Sequence, residues 1–106
     1  MSPASPKPER AIEVFESAWQ GIAITIHFEV RWLDLESIHI VHLEVRSASG
    51  ERLPIAETGY RSHFATTTEI TEGGGPVAYA VAWLDYMAQS NEWKAYVEGA
   101  RQLSLF

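Results

Sequence analysis

Ile22-Ala23-Ile24-Thr25-Ile26-His27-Phe28-Glu29-Val30-Arg31-Trp32 is the stretch that decides the fold. Ile22, Ile24, Ile26, Phe28, Val30 and Trp32 occupy every second position, with Ala23, Thr25, His27, Glu29 and Arg31 between them. Successive side chains of an extended chain point to opposite sides, so the alternation gives one apolar and one wet face, a half-buried strand. Ahead of it, Ala11 to Trp19 admits two readings. Ile12, Phe15 and Trp19 have helical spacing, while Ile12-Glu13-Val14-Phe15-Glu16 reads equally as a strand. The adjacent Gln20-Gly21 suits a two-residue hairpin turn and tips the balance toward a strand. A further strand is expected over Ile38 to Arg46, after which Ser47-Ala48-Ser49-Gly50 turns the chain toward Leu53-Pro54-Ile55. Together these elements make an antiparallel meander of three to four strands.

The second half changes character. After Thr66-Thr67-Thr68 comes Gly73-Gly74-Gly75, read as a flexible hinge, and then Pro76 at a position where a first helical turn accepts it. Val77, Ala80, Val81, Leu84 and Ala88 recur on one side of the following helix, which therefore faces a core. Ser90 or Asn91 can cap a shorter helix carrying Trp93, Tyr96 and Val97, with Gly99 and Ala100 as its stop. Strands followed by helices, rather than alternating with them, define an α+β fold with one or two C-terminal helices packed on one sheet face. The expected organisation is a disordered leader over 1–10, where three prolines precede Glu9, one domain over 11–99, and a tail over 100–106.

A chain of 106 residues is long enough to bury around 60 to 65% of its unfolded surface without covalent staples. It has no cysteine, which removes disulfides, thiol nucleophiles and Cys-ligated zinc and fits a reducing cytoplasm. No apolar run approaches a membrane span, and the leader lacks the apolar stretch of a signal peptide. Fourteen acidic against eight basic side chains give a net charge of −6. That balance argues against direct nucleic-acid binding, which normally uses a basic face, and leaves room for a second partner that is a basic protein.

Several constellations could carry chemistry. His42-Leu43-Glu44 has the His-x-Glu spelling of zinc deaminases but lacks their cysteines. On a strand, His42, Glu44 and Arg46 share the outward face, where such a row is most simply solvated. His27 and His39 read as half-exposed sheet histidines. No Gly-Lys-Ser/Thr follows the triple glycine, and Glu69 and Glu72 would repel a phosphate there. Trp83, Tyr86, Trp93 and Tyr96 are at helical spacing and read as core. No metal, cofactor or catalytic residue is assigned, and the chain is not read as an enzyme.

Glu57-Thr58-Gly59-Tyr60-Arg61-Ser62-His63-Phe64 lacks clean alternation and crowds Gly, Tyr, Arg and His together after a proline. It reads as an irregular segment presenting polar groups, and Glu57, Thr58, Gly59, Tyr60, Arg61 and His63 form a candidate recognition surface. The plainer alternative is a bulge at Gly59 with Arg61 paired to Glu57.

The sequence closes on Gln102-Leu103-Ser104-Leu105-Phe106. Three large apolar side chains here are either buried against something else or folded back on their own core. The pentapeptide resembles the motif by which bacterial polymerases and repair factors dock on the β sliding clamp: Gln, Leu, a small or acidic residue, Leu, Phe. The resemblance implies that Gln102 enters a small polar subsite while Leu105 and Phe106 fill an apolar pocket. With Leu53-Pro54-Ile55 and the 57–64 segment, residues 19–106 are also similar to small proteins of proteobacterial plasmids and other mobile elements, a likeness that carries no activity with it. The function these resemblances imply is a cytoplasmic adaptor or modulator of the sliding clamp. The competing reading is a mobile-element host-defence antagonist, an anti-CRISPR or antirestriction protein acting by protein–protein binding.

Overall fold

A computed structural model describes residues 12–34 and 38–103. The expected leader over 1–10 and three of the five motif residues, Ser104, Leu105 and Phe106, lie outside them. Four strands, β1 (Ile12–Trp19), β2 (Ile22–Asp34), β3 (His39–Ser47) and β4 (Tyr60–Thr66), form one antiparallel sheet in the order β1-β2-β3-β4. Three helices follow, α1 (Thr67–Glu72), α2 (Pro76–Met87) and α3 (Asn91–Leu103). The architecture is the α+β meander with C-terminal helices that the alternation in β2 points to.

The first segment is a strand, and its turn explains why. Gln20 and Gly21 both have positive φ, 48° and 81°, the backbone of a tight hairpin whose twist matches that of its strands. Trp19 therefore pairs with Ile22, and the register runs back to Ile12 opposite Glu29. Ile24, Ile26 and Phe28 of β2 lie beside Val41, Leu43 and Val45 of β3, all buried. Ala80 and Leu84 of α2, Ile70 of α1 and Trp93 of α3 close over them as a single core. Beyond Glu29 the β2–β3 register slips, and pairing resumes at Leu33 opposite Ile40.

The structure corrects three expectations and adds one helix that the sequence reading did not assign. Tyr60 to Phe64 is not irregular but most of the edge strand β4. Its alternation is disguised because the helix side carries Arg61, His63 and Ala65, while exposed Phe64 stands on the opposite face. Thr67–Glu72 forms a helix begun by a capping box, in which the Thr66 hydroxyl accepts from the Glu69 N–H and the Glu69 carboxylate accepts from the Thr66 N–H. The triple glycine is a hydrogen-bonded connector rather than a loose hinge: the N–H groups of Gly73, Gly74 and Gly75 donate to the carbonyls of Glu69, Thr71 and Ile70. Finally, α3 does not stop at Gly99 and Ala100 but runs on through Leu103, so Gln102 and Leu103 belong to a helix. Among the described residues, no helix is long and apolar enough to cross a membrane.

Candidate functional site

The loop between β3 and β4 builds one wall of a cleft. Buried Ser47 anchors it from both sides: its hydroxyl donates to the Glu51 carbonyl at 2.7 Å, and its N–H to the Gly59 carbonyl at 2.8 Å. Leu53 and Ala56 bond to each other through their backbones at 2.9 and 3.0 Å, a turn that drives Leu53 and Ile55 into the core. Gly59 makes the close approach possible. Its φ is +78°, and a Cβ at this position would overlap the Glu51 carbonyl and the Ser47 hydroxyl.

Opposite the loop stands the start of α3, where the Ser90 hydroxyl accepts from the Trp93 N–H at 3.1 Å. Between them lies a cleft of about 530 Å³, with Arg52, Ile55, Tyr60, Arg61, Met87 and Trp93 among its walls. The arginines are fixed against aromatic rings. The Arg52 guanidinium sits 4.8 Å from the Tyr96 ring centre, and that of Arg61 5.9 Å from Trp83 while donating to the Ile55 carbonyl at 3.4 Å. Arg52 also meets the Glu57 carboxylate at 3.8 Å, but the Glu57 side chain is 82% exposed against 29% for Arg52, so the pair is wet and weak. Desolvation, reinforced by the nearby Glu44 carboxylate, raises the Tyr60 phenol above its usual pKa. A second groove, of about 330 Å³, shares Arg52 and Trp93 with the first and continues past Tyr96 to Arg101.

Of the segment read as a recognition surface, the structure brings Glu57, Thr58, Tyr60 and Arg61 to the cleft. Gly59 is buried beneath it as a structural glycine. His63 shares the helix side with Arg61 but lies outside the cleft, with Nε2 2.9 Å from the Tyr79 hydroxyl and its ring 4.6 Å from that of Trp83. Burial holds the His63 imidazole below its ordinary pKa, with the Arg61 and His42 charges adding to the effect and Glu69 opposing it. The expected Arg61–Glu57 pairing is replaced by Arg52–Glu57. Arg52, Met87 and Trp93 had no signal in the sequence beyond ordinary loop and helix composition.

The His42 row is less solvated than its alternation implies. His42 is 9% exposed and Glu29, in register with it, 5%. His42 Nε2 shares a hydrogen bond of 2.6 Å with the Ser62 hydroxyl, and Nδ1 lies 3.8 Å from Glu44. The order hydroxyl, imidazole, carboxylate is that of an activated nucleophile. Here the carboxylate is beyond hydrogen-bond reach, and the three residues lie on a sheet face where neither cleft described above reaches them. With the Phe64 ring tilted against His42 at 4.8 Å between centres, they lace β3 to β4.

Toward its far end the described side chains of α3 leave the core. Trp93 is buried and Val97 half-buried, but Glu98, Ala100, Arg101 and Gln102 are exposed.

Fold and clefts together define a small α+β domain, a four-stranded meander roofed by three helices, with its concave surface where the β3–β4 loop meets α3. A family model described as the KlcB third domain matches residues 12–93. The chain belongs to that family, which is plasmid-borne. No curated protein and no solved structure matches it. The matched segment ends at Trp93, so most of α3 and the whole pentapeptide lie beyond it.

Proposed function

We propose that this chain is a plasmid-encoded protein-binding module that docks on the bacterial β sliding clamp through Gln102-Leu103-Ser104-Leu105-Phe106. The observation that carries the reading is the exposure of Glu98, Ala100, Arg101 and Gln102, which follow Val97, the last of the described side chains that packs on the core. The resemblance of the pentapeptide to clamp-binding motifs supplies the partner. Three large apolar side chains contribute roughly 1.5 to 3 kcal/mol each on burial. Association and the immobilisation of side chains cost about 4 kcal/mol or more. Apolar burial alone therefore leaves about −5 kcal/mol or weaker; hydrogen bonds of the Gln102 amide and the peptide backbone, about 0.5 to 1.5 kcal/mol each, bring the total toward about −6 kcal/mol, an exchangeable contact of tens of micromolar, suited to a tether that must let polymerases take turns.

Titration of a peptide covering residues 99–106 against purified clamp tests this directly. Saturable binding at tens of micromolar or tighter is expected, little changed by salt because the contacts are apolar plus one neutral amide. Leu105→Ala with Phe106→Ala in the full chain should abolish binding. Absence of saturation, or equal binding by the doubly substituted chain, rejects the proposal.

A further inference from the structure

We infer that the arginine-lined cleft beside α3 is a second protein-binding site, one that takes an extended acidic peptide with interspersed apolar side chains. It does not rest on the clamp-docking reading, because its residues lie on the loop 51–58, β4, the end of α2 and α3 as far as Arg101, short of Gln102. The two grooves are one track, joined where Arg52 and Trp93 line both. From Asn91 to Arg101 the helix rises about 15 Å, room for four to five residues of extended chain at about 3.3 Å each.

The track's chemistry selects the occupant. Arg61, Arg52 and Arg101 stand along it in that order, in a protein whose net charge is −6. The first two are pre-positioned by stacking on Trp83 and Tyr96, which lowers the entropy lost when a carboxylate is gripped. The carboxylates on or beside the same walls are solvent-exposed: Glu57 is 82% exposed, Glu92 is exposed at the first turn of α3, Glu51 is exposed and accepts from the Ser49 hydroxyl at 3.0 Å, and Glu98 meets Arg101 at 3.7 Å in an exposed, weak pair. Glu57 holds Arg52 only at 3.8 Å, so an incoming carboxylate can replace it. Between the charges, Ile55, Met87 and Trp93 give an apolar floor. Alternating acidic and apolar side chains on a strand-like peptide meet both features, and a basic partner at this site meets neither.

The test is selection of random ten-residue peptides displayed against the immobilised full chain, followed by titration of the synthetic winners. Enriched sequences should carry at least two Asp or Glu separated by large apolar residues. Their affinity should fall tenfold or more with Arg52→Glu combined with Arg61→Glu, and threefold or more with the milder Arg52→Gln, while far-UV circular dichroism stays unchanged. Raising salt from 50 to 300 mM should weaken them, as charge-steered contacts require. No enrichment, winners without acidic residues, full binding by Arg52→Gln, or displacement of the winners by a micromolar single-stranded oligonucleotide would each overturn the inference.

Discussion

Trp93→Ala probes how α3 is held and, through it, both binding surfaces. The Trp93 side chain is 6% exposed; its ring lies 5.7 Å from that of Trp19 and 5.2 Å from that of Tyr96. Trp19 is itself tied to α2 by its indole N–H, which donates to Asp85 at 2.8 Å. Truncating a buried Trp costs about 3 to 5 kcal/mol, of which the tilted ring pair supplies about 0.5 to 1.5. At about 4 to 8 °C per kcal/mol for a domain of this size, the lower figure already lowers the melting midpoint by about 12 °C. Ile26 and Leu43 are fully buried in the sheet beneath Ala80 and Leu84 of α2, so the loss should be greatest at α3: its amides should exchange rapidly while those of Ile26 and Leu43 stay protected. Trp93→Phe, which keeps a ring against Trp19, should retain most of that protection. Clamp binding should survive the substitution, since the pentapeptide lies beyond the docked turn, whereas acidic-peptide binding should vanish with the cleft. A midpoint lowered by less than about 4 °C with α3 still protected would refute the account, because Trp93 would then not be the anchor.

Gly59→Ala should cost about 2 to 5 kcal/mol by chemical denaturation, combining the positive φ with overlap onto the Glu51 carbonyl; a loss under 1 kcal/mol would mean the loop gives way freely. His63 has a depressed folded pKa, so on acidification the unfolded chain takes up its proton first, and stability should begin to fall as the pH drops through about 6.5, levelling off below the folded value. His63→Gln should flatten that part of the stability–pH curve, and an unchanged slope would assign it to another group. Gly99→Ala should raise α3 helicity and weaken clamp binding about two- to fivefold, by the roughly 0.5 to 1 kcal/mol that glycine costs a helix. Tighter binding would show instead that the clamp takes the segment as a helix.

The meander was legible because β2 states it without ambiguity, and because Gln20-Gly21 tips the ambiguous segment before it toward a hairpin strand. The α2 face was legible for the same reason, through apolar residues spaced for a helix from Val77 to Ala88. Strand β4 hid itself by inverting the usual pattern. Its helix-side residues Arg61 and His63 are polar because they pack on Trp83 and Tyr79 rather than into the dry centre, and its one large apolar residue, Phe64, covers His42 on the other face. Helix α1 was signalled only by Thr66 and Glu69 as a capping pair, without an apolar stripe, since Ile70 alone of its residues is buried. Tyr86 shows the limit of periodicity from the other side, being 70% exposed despite its helical spacing.

The site was half legible for a related reason. A recognition surface made of one segment can be read from composition, and Glu57, Thr58, Tyr60 and Arg61 do meet at the cleft. Arg52 and Trp93 join them only because the β3–β4 loop folds back onto α3, a contact between residues far apart in sequence that no local pattern records. The end of α3 poses the opposite problem, a local signal that the helix overrides. Gly99 has the look of a stop, yet a Cβ there would meet nothing within 4 Å and no positive φ is demanded of it, so it ends no turn and merely weakens the helix around it. That weakness suits the proposed tether. The separate subsites implied for Gln102 and for Leu105 with Phe106 lie farther apart along an extended peptide, about 10 Å over three residues, than the 5 to 6 Å that helical spacing allows. Glycine lowers by about 1 kcal/mol, relative to alanine, the cost of pulling the terminal turn out of the helix, a saving that adds to the apolar burial the extended peptide gains.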